Sequence, residues 1–471
     1  MQEQRSPESS GYRNDFSDSN ARPGRVLDNP AVNHRFFGPD ESLTGPERFR
    51  FDPRGARARA KDVARYSRYR NRAVWAQALV LFNVVGVPLS QGVYLEYYYN
   101  SVLGTSSLIP LAAIPGLQVL CILATPLLVG WLYHRRGQRS GWRLTFFVAS
   151  LVAVCAQLAL QWIKKYILLL ILQGLLLGIS LGTLFTLSTL VLSSHYRFNL
   201  PLVSTQSGFM GFLGAVVYSI VADLGLQGHK TIAPAATAGI LGATLLAANF
   251  LIRRVDQDTS FQTPQLSMTL PSRPITILKE KGTLPFVLGY ILIFFGLLTF
   301  PIYIVLILPS STGTWTIITT LATAALSACL SANPSIRRRL GPVNTFIAAA
   351  MSAGAVSILP FWMPYTWLSI LAGGLYGIGL GAIVALHIKV STVFHKEKAV
   401  WATDMPARAA MLMALAGMST FGGLVVSAVL MEMMRNGGRI ASCVAAGCLV
   451  GGGVLVAAAR WRRCARLWVA I

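Results

Sequence analysis

Seven of the polar side chains inside the long apolar stretches of this 471-residue chain are the residues best suited to bind a ligand. They are Gln91, Gln118, Gln206, Tyr290, Tyr303, Tyr376 and Arg408. Amides and hydroxyls that are removed from water need hydrogen-bond partners. Six of the seven are uncharged, so we expect a cavity that hydrogen-bonds a small, mainly neutral organic molecule. For Arg408 two interpretations stay open: contact with an anionic group, or a guanidinium that reaches back to water.

Patterns of catalysis and metal binding are absent from the sequence. It has no P-loop, no HExxH motif and no GxSxG motif. The glycines of Gly377-Ile378-Gly379-Leu380-Gly381 follow no strand pattern, so helix packing explains them better than a nucleotide. The six cysteines show no CxxC spacing, and no carboxylate lies in the middle of an apolar stretch. We therefore predict no enzymatic activity, no cofactor and no metal site.

The apolar stretches predict the fold class. The chain is 54% apolar and only 13% charged, whereas a soluble domain has about 25% charged residues. Twelve stretches are long enough for a helix of about 20 residues that crosses a bilayer. They cover residues 74–98, 108–133, 142–162, 166–192, 201–222, 232–252, 284–308, 315–333, 343–362, 366–391, 405–431 and 439–460. Since lipid offers no hydrogen-bond partners to a backbone, we predict an all-α polytopic membrane protein with twelve transmembrane helices.

The charges between these stretches predict the orientation. If successive helices alternate in direction, 35 of the 41 Lys and Arg fall on the side of the N-terminus and 5 on the other. Basic residues are enriched in cytoplasmic segments, so both termini are expected in the cytoplasm and the plasma membrane is the expected location. The net charge of +23 forms no basic face of a folded domain, which argues against a nucleic-acid partner.

Repeated patterns divide the twelve stretches into two halves. Gly174, Gly178 and Gly182 have the same spacing as Gly373, Gly377 and Gly381, which follow 199 residues later. Such rows let membrane helices pack closely, and parallel halves surround a central site in many secondary transporters. The expected organisation is a disordered basic cytoplasmic tail (1–72), a six-helix half (73–252), a cytoplasmic loop (253–283), a second six-helix half (284–460) and a cytoplasmic tail (461–471).

The loop after the second stretch carries a family resemblance. Residues Gly130-Trp131-Leu132-Tyr133-His134-Arg135-Arg136-Gly137-Gln138-Arg139 resemble the G-x-L-x-D-R-x-G-R-R gate motif of the major facilitator superfamily, with His134 in place of the acidic residue. The resemblance implies the major facilitator fold, in which two six-helix halves rock about a site at mid-depth. It also implies a gate loop made of Gly130, His134, Arg135, Gly137 and Arg139, with Arg339 and Gly341 in the second half.

Finer features resemble one branch of that superfamily. The stretch from Ser90 to Tyr98, SQGVYLEYY, is similar to the first helix of the monocarboxylate-porter-like branch common in fungi. This resemblance and the uncharged cavity favour efflux of a fungal secondary metabolite by a monomer in the lipid bilayer. Two alternatives stay open: uptake of a monocarboxylate, vitamin or related nutrient, and a transport-inactive sensor on the same scaffold. Coupling to a proton also stays open, because the sequence offers no carboxylate at mid-depth to carry it.

Overall fold

Helices make up the regular structure of every described part of the chain in the computed structural model. The described residues are 53–102, 107–135, 141–163, 165–195, 200–228, 232–252, 282–333, 336, 339–363, 365–393 and 405–463. The chain divides into two units, Met1–Lys61 and Asp62–Ile471. The structure describes the first unit only from residue 53, as the start of a helix. The described residues of the second unit form twelve helices long and apolar enough to cross a membrane. The predicted class and the number of spans are thereby confirmed.

We number the spanning helices α1 to α12 in chain order. α1 comprises Pro53–Leu89 and Gln91–Tyr97; α2 is Leu108–Arg135; α3 is Trp142–Ala159; α4 comprises Tyr166–Leu169, a π-helical segment Leu170–Leu176, and Leu177–His195; α5 is Leu200–Gly228; α6 is Ile232–Leu251; α7 comprises Thr283–Leu297 and Thr299–Ile307; α8 is Ser310–Ala332; α9 is Pro342–Ser357; α10 is Thr366–Val393; α11 is Met405–Met433; and α12 is Gly437–Arg463.

The largest difference from the predicted boundaries is at the start of α1. This helix begins at Pro53, so residues 53–72, which the sequence places in a disordered tail, are helical. Alanine and arginine are frequent in this segment and favour helices, whereas a hydropathy profile detects only apolar segments. α12 similarly continues to Arg463, beyond the predicted 460. Residues 1–52, 253–281 and 464–471 lie outside the described part of the chain.

The two rows of regularly spaced glycines allow the same close helix packing in both halves. A Cβ on Gly178 of α4 would lie 2.9 Å from the carbonyl oxygen of Gln118 on α2. In the second half, a Cβ on Gly377 of α10 would overlap the carbonyl oxygen of Thr320 on α8. Only glycine lets these backbones approach so closely. The close packing of α2 with α4 is thus repeated by α8 with α10.

A second pair of glycines repeats in the same way. A Cβ on Gly214 of α5 would overlap the carbonyl oxygen of Phe82 on α1. A Cβ on Gly423 of α11 would overlap the carbonyl oxygen of Phe295 on α7. Two independent helix pairs therefore relate the first half of the bundle to the second, as the sequence repeat predicts.

Each half begins with an interrupted helix. α1 stops at Leu89 and resumes at Gln91, and α7 stops at Leu297 and resumes at Thr299. Proline has no N–H group, so Pro301 cannot donate the helical hydrogen bond to the carbonyl of Leu297. The two breaks occupy matching places in the two halves, and they free polar backbone groups inside an otherwise apolar bundle.

The outside of the bundle is apolar, as lipid requires. Leu144, Phe250 and Leu326 are more than half exposed although they belong to spanning helices. Exposed tryptophans lie near the ends of the spans, where an indole meets both lipid and water; they are Trp75, Trp162, Trp315, Trp362, Trp367 and Trp461. These features support the assignment of the chain as a membrane protein.

Candidate functional site

A chain of buried side-chain hydrogen bonds links α1 to α4 in the first half. The Tyr98 hydroxyl donates to Oε1 of Gln173 over 3.0 Å, and Nε2 of Gln173 donates to Oε1 of Gln91 over 2.7 Å. All three side chains are buried. The Nε2 group of Gln91 is left without a hydrogen-bond partner. Gln91 thus has one amide atom fixed by the protein and one that is open to a further contact.

Gln118 on α2 is the second predicted residue in this region. Its backbone meets Gly178 of α4, which fixes its depth in the bundle. The side chain is fully buried, yet neither Oε1 nor Nε2 has a hydrogen-bond partner. Leaving a buried polar atom unpaired costs about 1–3 kcal/mol. Gln118 therefore carries a complete buried amide group whose hydrogen bonds the described protein atoms do not supply.

In the second half, Tyr376 is hydrogen-bonded to the backbone at the interruption of α7. Its hydroxyl donates to the carbonyl oxygen of Leu297 over 2.5 Å, which is the carbonyl that Pro301 cannot satisfy. Its ring stacks on Phe300 with centroids 4.3 Å apart. The polar end of Tyr376 is therefore engaged by the backbone, and the sequence prediction that it lines the cavity remains without direct support.

Tyr303 and Tyr290 make different kinds of contact. The Tyr303 hydroxyl donates to the carbonyl oxygen of Leu424 on α11 over 2.7 Å, so it too is engaged by the backbone. The ring of Tyr290 packs on Phe294 at 4.7 Å, and Phe294 meets the His387 ring edge-on at 6.0 Å. Tyr290 thus belongs to an aromatic group shared by α7 and α10.

The remaining predicted site residues lie elsewhere. Arg408 is half-buried near the start of α11. Gln206 belongs to α5, but its side chain lies outside the described part, as do the side chains of His134 and Arg135 and the whole of 136–140. Arg339 is exposed, and Gly341 precedes α9 with a φ of 76°, a conformation that favours glycine. The predicted gate loop stays a prediction.

The two halves are hydrogen-bonded to each other at one end of the bundle. The Ser107 hydroxyl, before α2, donates to Oε2 of Glu432 at the end of α11 over 2.5 Å. The backbone N–H of Ile109 donates to the same oxygen over 3.3 Å. On the other side of the bundle, the Thr314 hydroxyl of α8 donates to Oδ1 of Asp223 on α5 over 3.1 Å. We call this end the distal end, and the end where α12 finishes the proximal end.

The interrupted helices also meet between the halves. A Cβ on Gly92 of α1 would lie 2.7 Å from the carbonyl oxygen of Pro301 on α7, so the segments after the two breaks are in close backbone contact. At the proximal end of α5, by contrast, the position of a Cβ on Gly208 has no neighbouring atom within 4 Å. The contacts between halves described here concentrate in the distal part of the bundle.

Sequence inspection missed several of these residues. Gln173 is an amide inside an apolar stretch, and the same criterion that selected Gln91 would have found it. Ser107 and Glu432 are 325 positions apart, and neither is unusual in its local sequence, so no local pattern indicates that they form a contact.

Replacing Glu432 with alanine is expected to loosen the distal end, because α2 and α11 lose their shared carboxylate. Glu432 is exposed, so we expect only about 1 kcal/mol, which is about a fivefold shift in population. Spin labels on Asn100→Cys and Asn436→Cys, in a background free of other cysteines, would report longer distances. Arg435→Ala removes a neighbouring exposed charge and should leave the distance distribution unchanged. Equal distributions in all three proteins would contradict the expectation.

Comparisons with known proteins agree with this architecture. No family model matches the chain. Over 151 residues it is 30% identical to a protein of Phoma sp. named MFS-type transporter eupM. The match covers 31% of this chain and 52% of that protein, so the chain spans about half the length of this curated relative.

Solved structures show the same fold over most of the chain. The human organic anion transporter MFSD10 aligns with a TM-score of 0.57 at 16% identity, covering 83% of this chain and 99% of its own. The nucleoside transporter NupG aligns with a TM-score of 0.58 at 14% identity, covering 84% of this chain and 99% of its own. The chain therefore has the twelve-helix major facilitator fold. These similar proteins are transporters, which points to a protein that is not an enzyme.

Proposed function

We propose that this protein is a secondary membrane transporter that moves a small organic molecule by alternating access. The observation that carries the proposal is the hydrogen-bonding of two repeated six-helix halves at the distal end, through Ser107 and Glu432 on one side and Thr314 and Asp223 on the other. A bundle joined at one end can admit a ligand from the other end. Breaking these contacts would allow the halves to rock.

The finer proposal is efflux of a fungal secondary metabolite across the plasma membrane, with both termini in the cytoplasm. It is supported by the uncharged character of Gln91, Gln118 and Gln173 and by the similarity to MFS-type transporter eupM. Uptake of a monocarboxylate, vitamin or related nutrient is the alternative cargo. We further propose that the protein works as a monomer and leave a coupling proton as an open feature of the mechanism.

Reversible cross-linking of the two halves at the distal end tests alternating access. Ser107→Cys and Glu432→Cys place two thiols where the present hydrogen bond lies, within reach of a short bis-methanethiosulfonate cross-linker. Accumulation of a panel of neutral metabolites in cells with and without the gene identifies a transported compound. Cross-linking should then stop its flux, and a reductant should restore the flux in the same sample.

Two results would overturn the proposal in different ways. Flux that continues through the cross-linked protein would exclude alternating access. Identical accumulation of every compound with and without the gene would favour the transport-inactive sensor. Each single cysteine variant, treated with the same reagent, is the control for modification without cross-linking.

A further inference from the structure

The surroundings of Gln118 are uncharged as well as buried. Among the described side chains of α1, α2 and α4, charged groups occur only as Arg70 and Arg72 near the proximal end and Glu96 near the distal end. No described cation on these helices is placed to neutralise an anion at the depth of Gln118. The carboxylate of Glu96 further disfavours an anionic ligand on this side of the bundle.

Four described glutamines, Gln77, Gln91, Gln118 and Gln157, have an unpaired amide atom, and among them only Gln118 has neither atom paired. Gln118 leaves both Oε1 and Nε2 without partners, and Gln91 leaves Nε2. Gln173 bonds Gln91 and lies five residues before Gly178, the residue that meets Gln118. At no more than about 1.5 Å per residue, the positions of Gln91 and Gln118 differ by roughly 7 Å or less along the bundle axis. An offset of this size along the axis is within the length of one small organic molecule.

Two of these three helices, α1 and α4, depart from regular α-geometry here, and α2 contains a proline. Gln91 is the first residue after the interruption of α1, and Gln173 lies inside the π-helical segment Leu170–Leu176 of α4. Pro115, inside α2, lies one turn before Gln118. Single π-helical turns are frequent at functional sites, where they re-aim a side chain. Packing alone does not require irregular turns in two neighbouring helices that are joined by the Gln91–Gln173 hydrogen bond.

The face of α2 that carries Gln118 is turned into the bundle. Gly116 and Leu120 of α2 contact α11, and Cys121 contacts α4. The Cα and carbonyl oxygen of Gln118 also contact α4, at Gly178, and the side chain is fully buried. Its amide therefore points toward the interior on the side of the first half, not toward lipid.

We propose that Gln118 and Gln91 form a substrate-recognition site for a neutral group that carries a hydrogen-bond donor beside an acceptor, such as a lactam or a primary or secondary carboxamide. This inference rests on the proposed transport function and adds the chemical class of the cargo. The Gln118 amide can form two hydrogen bonds with such a group. Nε2 of Gln118 donates to the carbonyl oxygen of the ligand, and the N–H of the ligand donates to Oε1 of Gln118. A carboxylate has no hydrogen to give to Oε1. The Nε2 group of Gln91 serves a second acceptor on the same molecule.

Binding to the purified full-length protein tests this site independently of transport. The probes are 2-piperidone, which has a lactam N–H and a carbonyl; N-methyl-2-piperidone, which lacks the N–H; and benzoate, which is charged. Saturation-transfer NMR should detect binding of 2-piperidone that is about tenfold tighter than binding of the other two, the difference expected for one well-placed hydrogen bond. Gln118→Met should reduce 2-piperidone binding to the level of its N-methyl analogue.

The unfolding temperature measured without any probe distinguishes a ligand-binding role of Gln118 from a structural role. Gln118→Met removes unpaired polar atoms from apolar surroundings, so the apparent unfolding temperature in detergent should rise by about 2 °C. Gln77→Met is the matched control: Gln77 is also buried on α1 and its Oε1 is also unpaired, but its Nε2 donates to Thr189 over 3.2 Å. That variant should unfold at a lower temperature and keep its response to 2-piperidone.

The outcomes separate the site from the proposed function. A lower unfolding temperature for Gln118→Met would show that its amide is used structurally, and equal binding of the three probes would exclude amide recognition; either result overturns the site. Selective binding of 2-piperidone that is lost in Gln118→Met supports it. If such binding is found but no compound is transported, the transport function fails and the recognition site stands.

Discussion

Replacing Gly423 with alanine is expected to prevent normal assembly of the second half. The added Cβ would overlap the carbonyl oxygen of Phe295 on α7. Neither backbone can yield unless α7 and α11 separate, which also strains the hydrogen bonds from Ser419 and Thr420 to carbonyls of α7. We expect a loss of about 1–3 kcal/mol of stability and a sharp fall in the yield of folded protein, measured by size-exclusion chromatography of a fluorescent fusion.

The adjacent glycine provides the matched control. At Gly422 the nearest atom to a Cβ is Cε2 of Phe295 at 3.8 Å, an ordinary van der Waals contact. Gly422→Ala should therefore retain the wild-type yield. Gly214→Ala should repeat the defect of Gly423→Ala, because Gly214 has the same relation to Phe82 in the first half. Wild-type yield from Gly423→Ala would show that the close approach of α7 and α11 is not essential.

Replacing Asn83 with leucine is expected to destabilise the first half by about 2 kcal/mol. Asn83 is fully buried, and its Nδ2 donates to Thr244 on α6 over 2.9 Å. Its Oδ1 accepts from the Tyr218 hydroxyl on α5 over 2.6 Å. Leucine keeps the volume but removes both the acceptor of the Tyr218 hydroxyl and the donor to Thr244. Unfolding of the detergent-solubilised protein by a denaturing detergent would measure the loss.

A double-mutant cycle isolates the hydrogen-bond contribution. Asn83→Leu combined with Tyr218→Phe removes both partners, so it should lose less stability than the sum of the two single changes. Asn249→Leu is the comparison variant, since Asn249 is only half-buried and bonds to Ser150 over 3.0 Å; it should cost less than Asn83→Leu. Strict additivity in the cycle would mean that Asn83 and Tyr218 do not act as a pair.

The helices and their grouping into halves were predictable from the sequence. Each span is a run of about 20 apolar residues, and hydropathy reports that property residue by residue. The start of α1 at Pro53 was not predictable in this way, because the basic segment before Arg72 is helical without being apolar. The sequence repeat indicated the two halves, and the matched contacts of Gly178 and Gly377 give that repeat a physical basis.

The candidate site was predictable only as a set of polar residues. Gln91, Gln118, Tyr303 and Tyr376 look alike to sequence analysis, since each is a polar side chain in an apolar stretch. Their environments differ: the two tyrosines donate to backbone carbonyls, whereas Gln118 has no partner. That distinction depends on which atoms lie across from each side chain.

The sequence by itself determined that the chain has twelve membrane-spanning helices in two related halves. Hydropathy and glycine spacing are both local properties of the sequence. The tertiary structure alone decided which polar groups are satisfied and where the halves are joined. Tyr376 meets the Leu297 carbonyl, and Ser107 meets Glu432, across long separations in the chain. The physical reason is that a hydrogen bond requires an approach of about 3 Å in space, which spacing along the sequence does not specify.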